Sequence, residues 1–190
     1  MKHRVCSWWL GYWLLNPLRK MGQGPHELLS PYVREGMTVL EPGPGMGFFT
    51  VELARLVGPS GRVLAVDVQP KMIEKLKRRL AKIGMNGQVD ARVTSPESMS
   101  LGDLRDKVDF CLAFAVVHEF PDPGKFFAEV AEASRAGALL LLAEPKGHVK
   151  MEVFEAELQA AREAGFEIGG HPDIRRSQAA LLKKLATTAN

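Results

Sequence analysis

Cysteine is scarce in this chain: Cys6 and Cys111 are the only two among 190 residues. Two thiols with no CxxC spacing exclude a disulfide framework and a zinc-ribbon-like site, and they point to a reducing compartment such as the cytoplasm. Tryptophan is missing from everything beyond Trp13; Trp8, Trp9 and Trp13 stand together with Tyr12 near the N-terminus. The apolar stretch Val5 to Leu15 is too short to cross a bilayer, which takes roughly 20 residues. It follows Lys2, His3 and Arg4 in the manner of a signal peptide. However, Asn16-Pro17-Leu18-Arg19-Lys20 stands where a small-x-small cleavage site would be, so the segment is expected to belong to the mature protein. Internal repeats, long linkers and low-complexity tracts are absent. So is any strong charge excess: the net charge is +3. Six cations do gather in one run, Lys71, Lys75, Lys77, Arg78, Arg79 and Lys82. No aromatics interleave with them, and acids are spread elsewhere, so a solvated helix face is the better reading than a nucleic-acid patch.

What is present is an alternation of strand and helix. Met37–Glu41, Arg62–Asp67, Val89–Val93, Val108–Phe114 and Ala138–Ala143 are apolar or β-branched runs bounded by turn residues. Between them Phe48–Val57, Lys71–Ile83, Asp122–Arg135 and Met151–Ala164 have helical spacing, with Gly137 after the third of these helices and Gly165 after the fourth. Phe166–Ile168 begins a sixth strand, and Ile174 to Leu185 reads better as strand than as helix. Alternating elements with continuously apolar strands imply an α/β, doubly wound, mostly parallel sheet. We expect one domain over residues 1–190, with 1–30 as an N-terminal aromatic, helical cap segment.

The first strand runs into Val39-Leu40-Glu41-Pro42-Gly43-Pro44-Gly45-Met46-Gly47-Phe48-Phe49-Thr50. Three glycines at alternate positions between a strand and a helix indicate a loop shaped around a ligand. A dinucleotide fingerprint needs its third glycine where Phe48 stands, and a P-loop needs a GK[ST] ending that is missing. Glu41 further disfavours a phosphate and suits a cation. S-adenosylmethionine carries an ammonium and a sulfonium and no phosphate, so it fits this loop. Asp67, ending the second strand, can accept both ribose hydroxyls.

With these residues in hand the chain resembles the class I (Rossmann-like) S-adenosylmethionine-dependent methyltransferases. The resemblance rests on VLEPGPGMGFFT, VLAVDVQPKM, VDFCLAFAVVHEFPDP and GALLLLAEP, between about residue 37 and about residue 145. It implies S-adenosylmethionine as cofactor, with Glu41 ordering the loop and holding the methionine ammonium. Gly43, Gly45 and Gly47 would admit the amino-acid part and the sulfonium. Asp67 would bind the ribose, Val68, Gln69 and Met72 would lie beside the adenine, and Ala115 near the methionine moiety. In the family an acid after the third strand usually accepts from the adenine amino group, and the next N–H donates to the ring. Here Ser95 and Pro96 occupy those positions, and proline has no N–H, so either Glu97 takes over or adenine is held more loosely.

Methyl transfer needs orientation and exclusion of water, and a base only when the acceptor must lose a proton. His118, four residues beyond the fourth strand, is the candidate catalytic base; the alternative is a histidine that hydrogen-bonds loop backbone. Glu119 reads as a solvated loop acid or a partner, and His148 as an acceptor contact or a surface residue. A metal site of Cys6, His118 and His148 is conceivable, but nothing in the spacing demands one, and no metal is expected. Trp8, Trp9, Tyr12 and Trp13 are either a lid over the acceptor or a helix packed on the sheet. The expected acceptor is a small molecule. The core fold consumes most of the chain, and no NPPY- or DPPY-like stretch of a nucleic-acid methyltransferase follows the fourth strand. The alternatives are a nucleic-acid methyltransferase, supported only by the lysine-rich helix, a protein that binds the cofactor without catalysis and, more distantly, a hydride-transfer enzyme.

Overall fold

The structure, a computed structural model, describes residues 24–186. The N-terminal aromatic segment, with Cys6, lies outside the described residues. The chain divides into two compact units, up to Ser95 and from Pro96 onward.

The first unit contains α1 (Pro25–Leu29), β1 (Thr38–Pro42), α2 (Thr50–Val57), β2 (Arg62–Asp67), α3 (Pro70–Lys82) and β3 (Val89–Val93). β1 pairs in parallel with β2 from Thr38 opposite Arg62 to Pro42 opposite Val66. β2 pairs in parallel with β3 from Val63 opposite Val89 to Asp67 opposite Val93. All three strands therefore end at one edge, and the ligand-type residues Glu41 and Asp67 sit there. Val39, Leu40, Val63, Leu64, Ala65 and Val66 are all buried, which is why these strands read as unbroken apolar runs. α3 starts on Pro70, whose missing N–H costs nothing in a first turn. It buries Met72, Ile73, Leu76 and Leu80, each worth roughly 1.5–3 kcal/mol of apolar transfer. Lys71, Lys77, Arg78, Arg79 and Lys82 stay exposed on the same helix, so most of the cation run is its solvent face, as its spacing indicated.

The second unit contains β4 (Val108–Phe114), α4 (Pro123–Ala133), β5 (Ser134–Pro145), α5 (Met151–Glu163), β6 (Phe166–Gly170) and β7 (Ser177–Lys184), with one-turn 3₁₀ segments at Gly102–Leu104 and Val117–Glu119. β4 pairs in parallel with β5, ending with Phe114 opposite Ala143. β7 is antiparallel to both β5 and β6. The tail is thus a strand. α4 is capped by Asp122, whose side chain accepts from the Lys125 N–H at 3.1 Å.

Most boundaries shift by a residue or two, but the junction of α4 and β5 differs in kind from the expected one. α4 does not continue to Arg135; it stops at Ala133, and β5 begins at once with Ser134. Ser134 pairs with Val108, and the ladder then slips before Leu139 meets Phe110. Gly137 lies inside that irregularity with φ at 80°, a left-handed conformation natural to glycine. Asp109 and Arg135 close it with an ion pair at 2.7 Å. Gly137 therefore marks a bulge in a strand, not the end of a helix.

Across the described residues the seven strands hydrogen-bond in the order β3-β2-β1-β4-β5-β7-β6. This is the mostly parallel, helix-flanked sheet that the alternating pattern implies.

Candidate functional site

In the first unit the glycine loop after β1 is held from several directions. The Gly43 N–H donates to the Val66 carbonyl at 2.8 Å, and the Gly47 N–H to the Pro44 carbonyl at 2.9 Å. The Arg79 guanidinium of α3 donates to the Met46 carbonyl at 2.9 Å. Gly43, Gly45 and Gly47 all have positive φ. A Cβ on Gly47 would lie 2.5 Å from Leu76 Cδ1, so this glycine lets α3 close against the loop. A Cβ on Gly45 would meet nothing within 4 Å, so its open side is free to receive a ligand.

Glu41 is 3% exposed, and its Oε2 has no hydrogen-bond partner. Burial pushes its carboxyl up to about 7. The Thr50 hydroxyl offsets part of that, although it makes no well-formed hydrogen bond. An orphaned, buried carboxyl oxygen is what an ammonium ligand would satisfy. Asp67, half-buried at the end of β2, accepts from the Gln69 N–H at 2.8 Å. Burial raises its pKa, and the Gln69 and Gly45 N–H groups counter it. The second of these contacts ties the loop to β2. Val68 and Gln69 follow directly, half-buried, with Gln69 capping α3, and Met72 is buried one turn on. The residues present therefore fit S-adenosylmethionine: an unsatisfied acid for its ammonium, glycine backbone with an open side, and an acid placed for its ribose.

Ser95 is exposed, two residues beyond Val93, whose strand partner is Asp67. Pro96 and Glu97 belong to the second unit. There they line a cavity of about 240 Å³ with Met99, Phe120, Phe126 and Lys125 among others.

The second unit carries a different chemistry. Ala115, after β4, holds φ at 54° while its N–H donates to the Ala143 carbonyl at 2.7 Å. A non-glycine residue in that region is uncommon, and here it turns the chain sharply off the strand end. The 3₁₀ turn that follows presents His118. Its Nδ1 lies 2.5 Å from Oε2 of Glu144, which is fully buried near the end of β5. The other carboxyl oxygen of Glu144 accepts from the buried Val117 N–H at 2.8 Å. A carboxylate can only accept, so the neutral imidazole carries its proton on Nδ1 and leaves a lone pair on Nε2. Burial lowers the proton affinity of His118. The Glu144 hydrogen bond, then the charges of Glu144, Glu119 and Glu157, outweigh this and raise its pKa above the usual 6.5. His148, in the exposed loop after β5, sets its ring edge-on to His118 with centroids 5.0 Å apart. Glu157 of α5 is 1% exposed, and neither carboxyl oxygen has a hydrogen-bond partner.

The sequence singled out His118, and the structure gives it an orienting acid. It did not single out Glu144, Glu157 or Leu76, and it read Arg79 only as one of the solvated cations of its helix. Among the described residues no group of three or more His, Cys, Asp or Glu side chains could hold a metal ion. No described helix is long and apolar enough to cross a membrane.

A family model described as a methyltransferase domain matches residues 33–184, across both units. The tRNA (adenine(57)-N(1)/adenine(58)-N(1))-methyltransferase TrmI of Methanocaldococcus jannaschii is 29% identical over 108 residues, which cover 48% of this chain and 38% of that protein. A protein-L-isoaspartate O-methyltransferase of Korarchaeum cryptofilum is 30% identical over 131 residues, 61% of this chain and 58% of that one. The chain thus spans less than two thirds of these relatives. Among solved structures, a SAM dependent methyltransferase from Aquifex aeolicus superposes with a TM-score of 0.82 at 24% identity, covering 96% of this chain and all of the other. At that identity the match speaks for the fold.

Proposed function

The chain belongs to the methyltransferase-domain family in its class I, Rossmann-like form, and we propose that it transfers a methyl group from S-adenosylmethionine to a small-molecule acceptor that gives up a proton to His118. The cofactor supplies a methyl carbon already activated by its sulfonium. Glu41 Oε2 would take the ammonium, the Gly43–Gly47 backbone the amino-acid part, and Asp67 the ribose. Val68, Gln69 and Met72 would border the adenine. Ser95, Pro96 and Glu97 are offered for its far edge, and Ala115 for the methionine side.

The observation that carries the catalytic reading is the Glu144–His118 pair. Glu144 fixes the tautomer, so Nε2 accepts, and it stabilises the imidazolium that forms when Nε2 takes the proton. A base of raised proton affinity is of use to an acceptor whose O–H or N–H does not ionise unaided. A thiolate would need no such help. The basic face of α3 gives a nucleic acid little purchase by comparison, since Arg78 pairs with Glu74 at 2.5 Å and Arg79 braces the loop. The buried Cys111 thiol accords with a cytoplasmic setting.

A labelled-methyl screen across phenols, amines and thiols tests the reading. The His118→Ala protein should lose about 10²–10⁴-fold in rate while binding the cofactor normally. The wild-type rate should rise with pH through a midpoint above the ordinary histidine value, because only neutral imidazole accepts. A flat profile, or an Ala variant of near-normal rate, removes His118 from catalysis.

A further inference from the structure

We propose that His148 and His118 together form the binding site for a flat aromatic acceptor: a phenol whose O–H meets His118 Nε2 and whose ring lies against the His148 imidazole. His148 is held firmly for an exposed residue. Its own N–H and the Val149 N–H both donate to the Pro145 carbonyl, at 3.2 and 3.0 Å. The Lys146 N–H donates to the Arg176 carbonyl at 2.8 Å, and the buried Gln178 side chain donates to the Val149 carbonyl at 2.8 Å. Val149 is buried, so the turn is anchored from beneath while His148 stays exposed. No other part of the described chain engages the imidazole so placed. Its ring nitrogens have no hydrogen-bond partner among the described residues. The ring meets that of His118, with centroids 5.0 Å apart and planes at 74°.

The two histidines follow the ends of β4 and β5, neighbouring parallel strands, at the edge where sheets of this kind receive ligands. Both oxygens of Glu144 are already taken, one by His118 and the other by the Val117 N–H. What the pair offers an incoming molecule is therefore the Nε2 lone pair of His118 and ring surface, with the His148 nitrogens open to a second polar group. A phenol uses both the lone pair and the surface. Its hydroxyl takes the lone pair, and its ring can stack offset or edge-on, as aromatic groups prefer at centroid distances of about 4.5–7 Å. An aliphatic alcohol of the same size would gain the polar contact and lose the ring contact. Three residues beyond His148, Met151 opens α5 and is 55% exposed. A thioether there adds a surface that also favours aromatic rings.

The acceptor class rests on the reading of His118 as the base, but binding is measurable without turnover. p-Cresol and its saturated counterpart 4-methylcyclohexanol share one skeleton and differ in the flat ring. Each is titrated by NMR into the full chain, with and without S-adenosylhomocysteine, and the His118 and His148 ring resonances are followed. Their loss in His118→Gln and His148→Leu assigns them. p-Cresol should shift both resonances saturably and bind about 2–10-fold more tightly than the alcohol, the margin of one aromatic contact. His148→Leu should lose that margin, and His148→Phe should keep it. In the labelled-methyl assay His148→Leu should raise KM for a phenol with kcat nearly unchanged, whereas His118→Ala lowers kcat. If His148→Leu does not fold, the comparison of the two compounds on wild type decides alone. No saturable shift with p-cresol, equal affinity for the two compounds, or a preference that persists in His148→Leu overturns the inference. Preferential binding of p-cresol beside a normal rate in His118→Ala would overturn the base and leave the aromatic site standing.

Discussion

Replacing Glu41 by Gln should make the ligand-free protein more stable at alkaline pH while it loses its cofactor. The carboxyl is buried, one oxygen has no partner, and burial pushes its pKa up to about 7 from an ordinary 4.5. An acid whose pKa is raised by folding contributes stability that is full below its unfolded pKa and is lost as pH climbs through the folded one. The displacement corresponds to about 3 kcal/mol, most of it lost between about pH 5 and about pH 8. Gln has nearly the same shape and no charge, so its own packing and hydrogen-bonding cost is the same at both pH values. The difference in unfolding free energy between variant and wild type should therefore swing by about 2–3 kcal/mol in favour of the variant over that interval. Urea denaturation at the two pH values measures it. Calorimetry on the same samples should show S-adenosylhomocysteine bound about 10–150-fold more weakly, the equivalent of one charge-assisted hydrogen bond. A stability difference that does not change with pH would mean that Glu41 is ordinarily ionised in the fold. Undiminished affinity would mean that it does not face the ammonium.

Three further outcomes follow from the same geometry. Asp67→Ala should weaken cofactor binding by about 1.5–3 kcal/mol in calorimetry, and an unchanged affinity removes the ribose assignment. Gly47→Val should lower the melting temperature, because its Cβ would lie 2.5 Å from Leu76 at a positive φ; an unshifted melting curve refutes the close approach of α3 to the loop. Glu144→Gln should lower the NMR titration midpoint of His118, since both the hydrogen bond and the charge that raise it are lost or weakened; a midpoint that stays put breaks the pair.

Most of the fold could be read from the chain because its strands are apolar runs with abrupt ends. β2, β3 and β4 have the same bounds in the structure as in the sequence reading. The end of α4 could not be read, because helix and strand join there without an intervening turn. Gly137 then looks like a helix stop, although it serves a slip in strand pairing. The cofactor side was legible because Glu41, the glycines and Asp67 sit at strand ends in short, recognisable stretches. Glu144 was harder, being 26 residues from its partner His118. Only the parallel pairing that sets Phe114 opposite Ala143 brings the two strand ends together. A signal existed all the same: Glu144 ends an apolar strand in an acid, as Asp67 does. Glu157 likewise interrupts an otherwise apolar helix face. Leu76 and Arg79 gave no such signal, since a core leucine and a surface arginine are ordinary in an amphipathic helix until the loop is seen beside them.

Isothermal titration of the wild-type protein with S-adenosylhomocysteine and, separately, with NADH tests the central claim most directly. Glu41, the open side of Gly45 and Asp67 predict saturable, one-to-one binding of S-adenosylhomocysteine and far weaker binding of NADH, whose pyrophosphate would meet the Glu41 carboxylate. Comparable affinity for NADH, or no binding of S-adenosylhomocysteine by folded protein, would contradict the account.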